Sequence, residues 1–420
     1  MEIISIYNKF KQCGAVTTDT RTLKGGEMFF ALKGENFDGN EYALKALEAG
    51  AAYAVVNKDS SAGTVDDPRL IKVEDTLKTL QELARWHRSM TIVDGKPLTV
   101  IALTGTNGKT TTKELVSRVL AEKFEVSTTK GNLNNHIGVP LTLLAMSSET
   151  EFGVVEMGAS AQGEIALLCS IAEPNYGILT NIGLSHLEGF GGVEGIRKGK
   201  GELFDHLNEI GGRAFVPQED ATLCAMAAER EDLAVEYYSR AIAEGFKSNL
   251  TGDYNRFNIA AAVEIGRYFG VADERIAEAI LSFSPDNNRS QAVKTERNQL
   301  VVDCYNANPS SMEVALDNIA TMEAEHKVLI LGDMLELGEW SEEAHINILH
   351  KADAIAERIV LVGKEFAKAY KKSEGLQSSY ALYPTTAEAL DALEKKPIEG
   401  ALVLLKGSRG IALEKLIERL

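Results

Sequence analysis

The sequence predicts an α/β protein of three domains, each built on its own mainly parallel sheet. Three observations lead there. The chain has 420 residues, more than one hydrophobic core normally organises. Short β-branched runs alternate with helical stretches along most of it, as parallel sheets with crossover helices require. At 98–124 an apolar run, a glycine loop and an amphipathic stretch succeed one another, the order of a strand, a loop and a helix. With 45% hydrophobic and 25% charged residues, the composition can fill such cores.

Residues 1–93 read as a small N-terminal α/β domain. EMFFAL (27–32) and AAYAVV (51–56) are strand-like, and YALKALEAGA between them is helical. Glycine and proline in VDGKPLTV interrupt the pattern and mark the next boundary. Residues 94–291 read as a central domain with a parallel sheet of the P-loop ATPase type. LTVIAL (98–103) is its strand before the glycine loop, and Leu115, Val116, Val119, Leu120 and Phe124 then recur at helical spacing. FGVVEM (152–157) and YGILTNI (176–182) are further strands, with IALLCSIA helical between them. After SPDNNRSQAV (284–293) the alternation resumes, so residues 292–420 read as a C-terminal Rossmann-like domain. Its strands are LVVD (300–303), KVLILG (327–332), RIVLVG (358–363) and ALVLLKG (401–407).

Charge narrows the function classes. Lysine and arginine number 44 against 61 acidic residues, a net −17, which disfavours nucleic acid or an anionic membrane as partner. Cys13, Cys169, Cys224 and Cys304 form no CxxC pair and are expected as buried thiols in a reducing cytoplasm. The opening MEIISIYNKFKQCG lacks the layout of a secretory signal, and no apolar run approaches a membrane span. A cytoplasmic protein with no membrane insertion is expected, and nothing demands more than a monomer.

The chemistry concentrates in LTGTNGKTTTKEL (103–115). Only two residues separate Gly105 from Gly108, where the common phosphate loop has four. Gly105, Thr106, Asn107, Gly108 and Thr111 surround a helix N-terminus whose free N–H groups and dipole favour phosphate oxygens. Lys109 adds a compact charge for the β/γ-phosphates, and the Thr110 hydroxyl can reach Mg²⁺. Glu156 ends an apolar strand, as a Mg²⁺ ligand or as a solvated carboxylate. His186, in the glycine-rich GLSHLEGFGGVEG (183–195), could meet a cation or phosphate, or neither. Lys200, in RKGKGELFDHL, reads as the beginning of an amphipathic helix, ordinarily a solvated charge. Asn255 and Asn258 suit either a base edge or a helix cap. In DCYNANPSSM a strand ends at Asp303 and gives way to Tyr305, Asn306, Asn308 and Pro309, a longer polar string than capping needs.

TGTNGKTT, GNLNNHIGVP (131–140), VVEMGAS (154–160), TNIGLSHLEGFG, KGKGE, DCYNANPSSM and LLKGSRG together resemble the Mur ligases, from near residue 17 to the end. The resemblance implies the three-domain architecture of that family and an ATP that activates a carboxylate as an acyl phosphate. The string from Asp303 to Met312 is similar to that of the member joining D-alanyl-D-alanine to a UDP-N-acetylmuramoyl-tripeptide in peptidoglycan precursor synthesis. It further implies catalytic roles for Lys109, His186 and Lys200. Thr110 and Glu156 would hold one Mg²⁺; His186 and a carbamylated Lys200 would serve a second. Asn258 would read adenine, Arg289 would meet ribose or phosphate, and Asp303 and Tyr305 would close on the nucleotide. Thr20, Arg21, Lys33, Gly34 and Asp38 would form the UDP pocket, where Asn40 stands in place of the family's histidine. Asn134 and Asn135, with Thr129, would meet the muramoyl-peptide, and Asn306, Lys406, Ser408 and Arg409 the substrates at the third domain. A helix cap is the rival reading for Ser408. The rival functions are another amino acid ligase of this family, a P-loop phosphotransferase, and a nucleotide-gated scaffold without turnover.

Overall fold

Three separate sheets organise the chain in the computed structural model, which describes residues 2–285 and 289–420. The first has four parallel strands in chain order: β1 (Val16–Thr17), β2 (Met28–Phe30), β3 (Tyr53–Asn57) and β4 (Leu70–Val73). EMFFAL and AAYAVV form β2 and β3, whereas β1 is too short to show a pattern. The helix Thr76–Met90 follows, capped by Asp75, whose side chain accepts from Lys78 N. Its Leu80, Leu83 and Ala84 share one core with Val139 and Leu143 of the next domain. An antiparallel hairpin, β5 (Ile92–Val93) and β6 (Lys96–Pro97), leads onward.

The second sheet is fully parallel: β7 (Thr99–Thr104), β8 (Val126–Thr128), β9 (Phe152–Glu156), β10 (Tyr176–Leu179), β11 (Arg213–Pro217) and β12 (Ala234–Tyr238). Its order is β12-β11-β10-β7-β9-β8. Strand β7 lies between β9 and β10, so the chain direction across the sheet reverses there. The loops after these three strands therefore leave from one edge, the place where such sheets take ligands. On the helix Lys109–Ala121, Leu115, Val116, Val119 and Leu120 pack with Ala260, Ala261 and Val263 of the helix Asn255–Tyr268. The alanines allow the two backbones close approach.

The third sheet is ordered β13-β14-β18-β15-β16-β17. It comprises β13 (Gln291–Lys294), β14 (Gln299–Asp303), β15 (Lys327–Gly332), β16 (Arg358–Val362), β17 (Ser379–Tyr383) and β18 (Leu402–Lys406). All pairings are parallel except β13 with β14, which a tight turn joins as a hairpin, since four residues are too few for a crossover. This domain docks on the second: Leu187, Phe190 and Ile196 lie in one core with Met312, Leu316, Met334 and Leu337. All four cysteines are free, but only Cys169 and Cys304 are buried; Cys13 and Cys224 are partly exposed, against expectation.

Three histidines tie stability to pH. His345 is fully buried; its Nε2 accepts from Met334 N at 3.0 Å and its Nδ1 donates to Ser341 O at 2.6 Å, which fixes a neutral ring. Burial pushes His345, and likewise His87 and His206, below the ordinary 6.5. The unfolded chain thus binds protons that the folded one refuses. This contribution is complete above the unfolded value and is lost as pH falls from there toward the depressed folded values. The urea midpoint is expected to drop between about pH 7.5 and about pH 5.5. A midpoint that holds or rises would contradict the burial of these rings.

Candidate active site

The loop after β7 takes its shape from two glycines. Gly105 (φ +140°) and Gly108 (φ +81°) both lie where side chains are rarely tolerated. A Cβ at Gly105 would clash with Thr180 Oγ1, and one at Gly108 would come 2.7 Å from Asn258 Oδ1. Asn181 clamps the turn: its Oδ1 accepts from Asn107 N at 3.0 Å and its Nδ2 donates to Asn107 O at 2.9 Å. Gly105→Ala is therefore expected to weaken ADP binding at least about tenfold with the circular dichroism unchanged, measured by calorimetry. Unaltered affinity would show that the cradle does not need this turn.

Lys109 opens the helix, and from its half-buried side chain Nζ donates to Gly105 O at 2.7 Å and Thr106 O at 3.1 Å. Burial pulls its pKa down to about 8, opposed by the Glu156 carboxylate and reinforced by Arg289. Lys200 Nζ reaches the same Gly105 O, at 3.1 Å, and stands 5.3 Å from the centroid of the Phe190 ring. Contrary to the solvated charge expected, Lys200 is buried in the middle of the helix Val193–Ile210. The reason lies outside the helix: the glycine loop and Phe190 cover it. Burial, and then repulsion from Lys109, holds its amine well below the ordinary lysine value, with Glu164 opposing.

Oxygen atoms suited to a hard cation sit beside these amines. Thr110 Oγ1 and Glu156 Oε2 are buried without a hydrogen-bond partner, while Glu156 Oε1 accepts from Asn134 Nδ2 at 2.8 Å. Buried unpaired oxygens are costly unless something fills them, so this pair fits a Mg²⁺ ion. Among the described residues no three histidines, cysteines or acids cluster as a metal site, and the oxygens offered here are those of Thr110 and Glu156. His186 Nδ1 comes within 2.5 Å of Glu336 Oε2 without aligning as a hydrogen bond.

A cavity of about 700 Å³ joins these groups to the third domain. It is lined by Thr106, Asn107, Gly108, Lys109, Thr111, Asn134, Asn135, Glu156, His186, Lys200, Asn258, Arg289, Asp303, Tyr305, Asn306 and Lys406 among the expected residues. Asp303 Oδ2 and Lys406 Nζ, at the ends of neighbouring strands, pair at 2.7 Å. The Tyr305 ring is flanked by the Arg289 guanidinium at 3.9 Å and that of Arg409 at 4.9 Å. Asn258 is held from both sides, its Oδ1 accepting from Thr112 and its Nδ2 donating to Asn255, rather than capping a helix. Ser408 does not cap either: its Oγ accepts from Leu335 N at 3.0 Å and donates to Ala307 O at 3.3 Å. Asn135 does bond backbone, its Oδ1 accepting from Gly138 N, and Thr129 Oγ1 accepts from Glu156 N.

The first-domain residues are not brought into this cavity. Asp19 accepts from Arg21 beside Thr20, and Lys33 faces Asp38 at 3.9 Å across the turn containing Gly34. Asn40 is buried, with its amide donating to Asp38 and its Oδ1 accepting from Asn57 N, so it braces the turn from within. Two cavity groups, Glu336 and Asn308, and Asn181 behind the glycine loop escape sequence reasoning. Glu336 sits in a strand-end loop with no spacing signal; Asn181 and Asn308, whose Nδ2 donates to Asn107 Oδ1 at 3.1 Å, lie within strings that carry the resemblance but are given no role by it.

Three family models match the chain: the Mur ligase family catalytic domain over residues 13–88, the Mur ligase middle domain over 103–245, and the Mur ligase glutamate ligase domain over 288–409. The UDP-N-acetylmuramoyl-tripeptide–D-alanyl-D-alanine ligase of Bacillus subtilis (strain 168) is 35% identical, across 96% of this chain and 92% of that protein. The Escherichia coli (strain K12) protein of the same name is 34% identical, across 97% and 93%. Among solved structures, MurF from Acinetobacter baumannii aligns with a TM-score of 0.85 at 27% identity, over 99% of this chain and 97% of that one. MurF ligase from Thermotoga maritima in complex with ADP aligns with a TM-score of 0.81 at 26% identity, over 96% of each.

Proposed function

The chain belongs to the Mur ligase family, and from that premise we propose how its cleft works. It is an ATP-dependent ligase that joins D-alanyl-D-alanine to UDP-N-acetylmuramoyl-tripeptide in peptidoglycan synthesis. The observation that carries this reading to the residues is the single cavity on which the glycine loop, Glu156, His186 and Lys200 face Asp303, Tyr305 and Lys406.

The tripeptide's terminal carboxylate attacks the γ-phosphorus, the bond to ADP breaks, and an acyl phosphate forms. The free amine of D-alanyl-D-alanine then adds to the acyl carbon, and the tetrahedral species collapses to amide and phosphate. Lys109 meets the charge that develops on the transferring group, in a buried setting where a preorganised cation acts strongly. Thr110 and Glu156 would hold one Mg²⁺, and His186 with a carbamylated Lys200 a second; bound there, the ions would neutralise phosphate charge. The depressed Lys200 amine supports the carbamate, because only a neutral amine adds CO₂, releasing a proton and gaining an anionic oxygen ligand. Asn258, Arg289, Asp303 and Tyr305 are assigned to the nucleotide. Asn134, Asn135, Asn306, Lys406, Ser408 and Arg409 are assigned to the peptide substrates, and Thr20, Arg21, Lys33, Gly34 and Asp38 to the UDP group. Domain boundaries are assigned near residues 93 and 291, close to the β5–β6 hairpin and the start of β13. A monomer suffices, since one chain supplies the whole cavity. A cytoplasmic location, where ATP is at hand, is assigned; no described helix is long and apolar enough to cross a membrane.

Phosphate release across a matrix of UDP-muramoyl-peptides and dipeptides is the test. Full-rate ADP formation with both substrates withheld would exclude the ligase, and a stable phosphorylated product without amine would favour a phosphotransferase. Transfer of ¹⁸O from the donor carboxylate into phosphate checks the acyl phosphate directly.

A further inference from the structure

We propose that Glu336 is a positioning residue for His186, through which docking of the third domain orients a ring of the phosphate pocket. The proposal rests on the ligase reading, but its first test needs no turnover. The two residues come from different domains, on the loops after β10 and β15, and their Nδ1 and Oε2 atoms approach to 2.5 Å. Both have backbones that side chains rarely adopt, φ +49° at His186 and φ +63° at Glu336. Such conformations persist only where surrounding structure imposes them, and they gather at functional sites.

Here the surroundings are visible. His186 precedes the short helix Leu187–Phe190, whose Leu187 and Phe190 are buried. On the opposing loop, Met334 N donates to His345 Nε2 and Leu335 N to Ser408 Oγ, each at 3.0 Å. Leu337 enters the same core as Leu187 and Phe190, and Gly338 packs against the Glu188 side chain. Anchored on both sides, Glu336 projects its carboxylate at the ring. That side chain is itself 63% exposed, so packing does not account for its placement.

At this separation two bare lone pairs would repel, so a proton has to lie between the atoms; beside an ionised carboxylate it belongs to Nδ1, and a small rotation of the exposed Glu336 side chain aligns the bond. Nε2 is then the lone-pair nitrogen of a ring that lines the cavity with Lys109 and Lys200. A histidine that binds a cation through one nitrogen characteristically gives the other to a carboxylate, which fixes the ring and raises its basicity. In this chain the carboxylate belongs to the other domain, so the ring is set only when the two domains meet.

The test is ¹⁵N NMR of the full-length, metal-free chain labelled at the histidine ring nitrogens. The Nδ1–H form of His186 should dominate in the native protein and lose its preference in Glu336→Ala, while His345, which Glu336 does not touch, stays unchanged. In turnover, Glu336→Ala should lower kcat about 10- to 100-fold with KM for ATP within about threefold, and Glu336→Gln should recover part. The melting temperature should not move. An unchanged His186 tautomer in Glu336→Ala overturns the proposal even if the chain is a ligase, as does a kcat within about twofold of native. Failure of the native protein to ligate would instead strike the functional reading and leave the tautomer result standing.

Discussion

Lys109→Met is expected to lower dipeptide-dependent phosphate release by about a thousandfold or more, equivalent to about 4 kcal/mol of transition-state stabilisation. Methionine keeps most of the volume of the half-buried stem and removes only the charge. That charge sits where the helix begins, bonded to Gly105 O and Thr106 O, in surroundings dry enough to pull the amine to about 8. ADP affinity should fall much less than the rate, because the loop's N–H groups still hold the phosphates while the transferring group loses its cation. Bound phosphate should also raise the amine's pKa, so ADP binding slightly above pH 8 should take up a proton in the native protein and not in the variant. A rate within tenfold of native would remove Lys109 from the chemistry.

The second large effect is at Lys200. Lys200→Ala is expected to cost about a hundredfold or more in turnover and to regain part of it when short carboxylic acids are added. Two ammonium groups on one carbonyl oxygen in a buried pocket would be strongly disfavoured, so the native pocket calls for a Lys200 that is not cationic. A carbamate answers that need and presents oxygens where a soaked carboxylate can stand in for them. If Lys200 served only to pack against Phe190 and bond Gly105 O, alanine would still impair the protein, but no carboxylate would restore it. Absence of rescue across formate, acetate and propionate would leave the lysine a structural role.

The glycine loop was legible because its requirements are local. Two glycines at positive φ, a lysine and a threonine at a helix N-terminus, and a strand before them are all set within a dozen residues. The strands β7, β9, β10, β14, β15 and β18 were legible for a related reason: buried parallel strands need continuous apolar runs, which leave a plain trace. Other features leave none. β13 pairs antiparallel because of a short turn, and its alternating pattern is no different from that of a loop edge. Ser408 follows the last strand like a helix cap, yet bonds across two neighbouring loops instead.

By itself, then, the sequence determined the three-sheet α/β plan, the phosphate loop and the family, since each depends on residues close together in the chain or on strings long enough to be distinctive. Tertiary structure alone decided that Lys200 is buried, that Asn308 touches Asn107, that Lys406 pairs with Asp303, and that Glu336 meets His186. Burial and pairing depend on what arrives from elsewhere in the chain, and periodicity along one segment carries no information about its visitors.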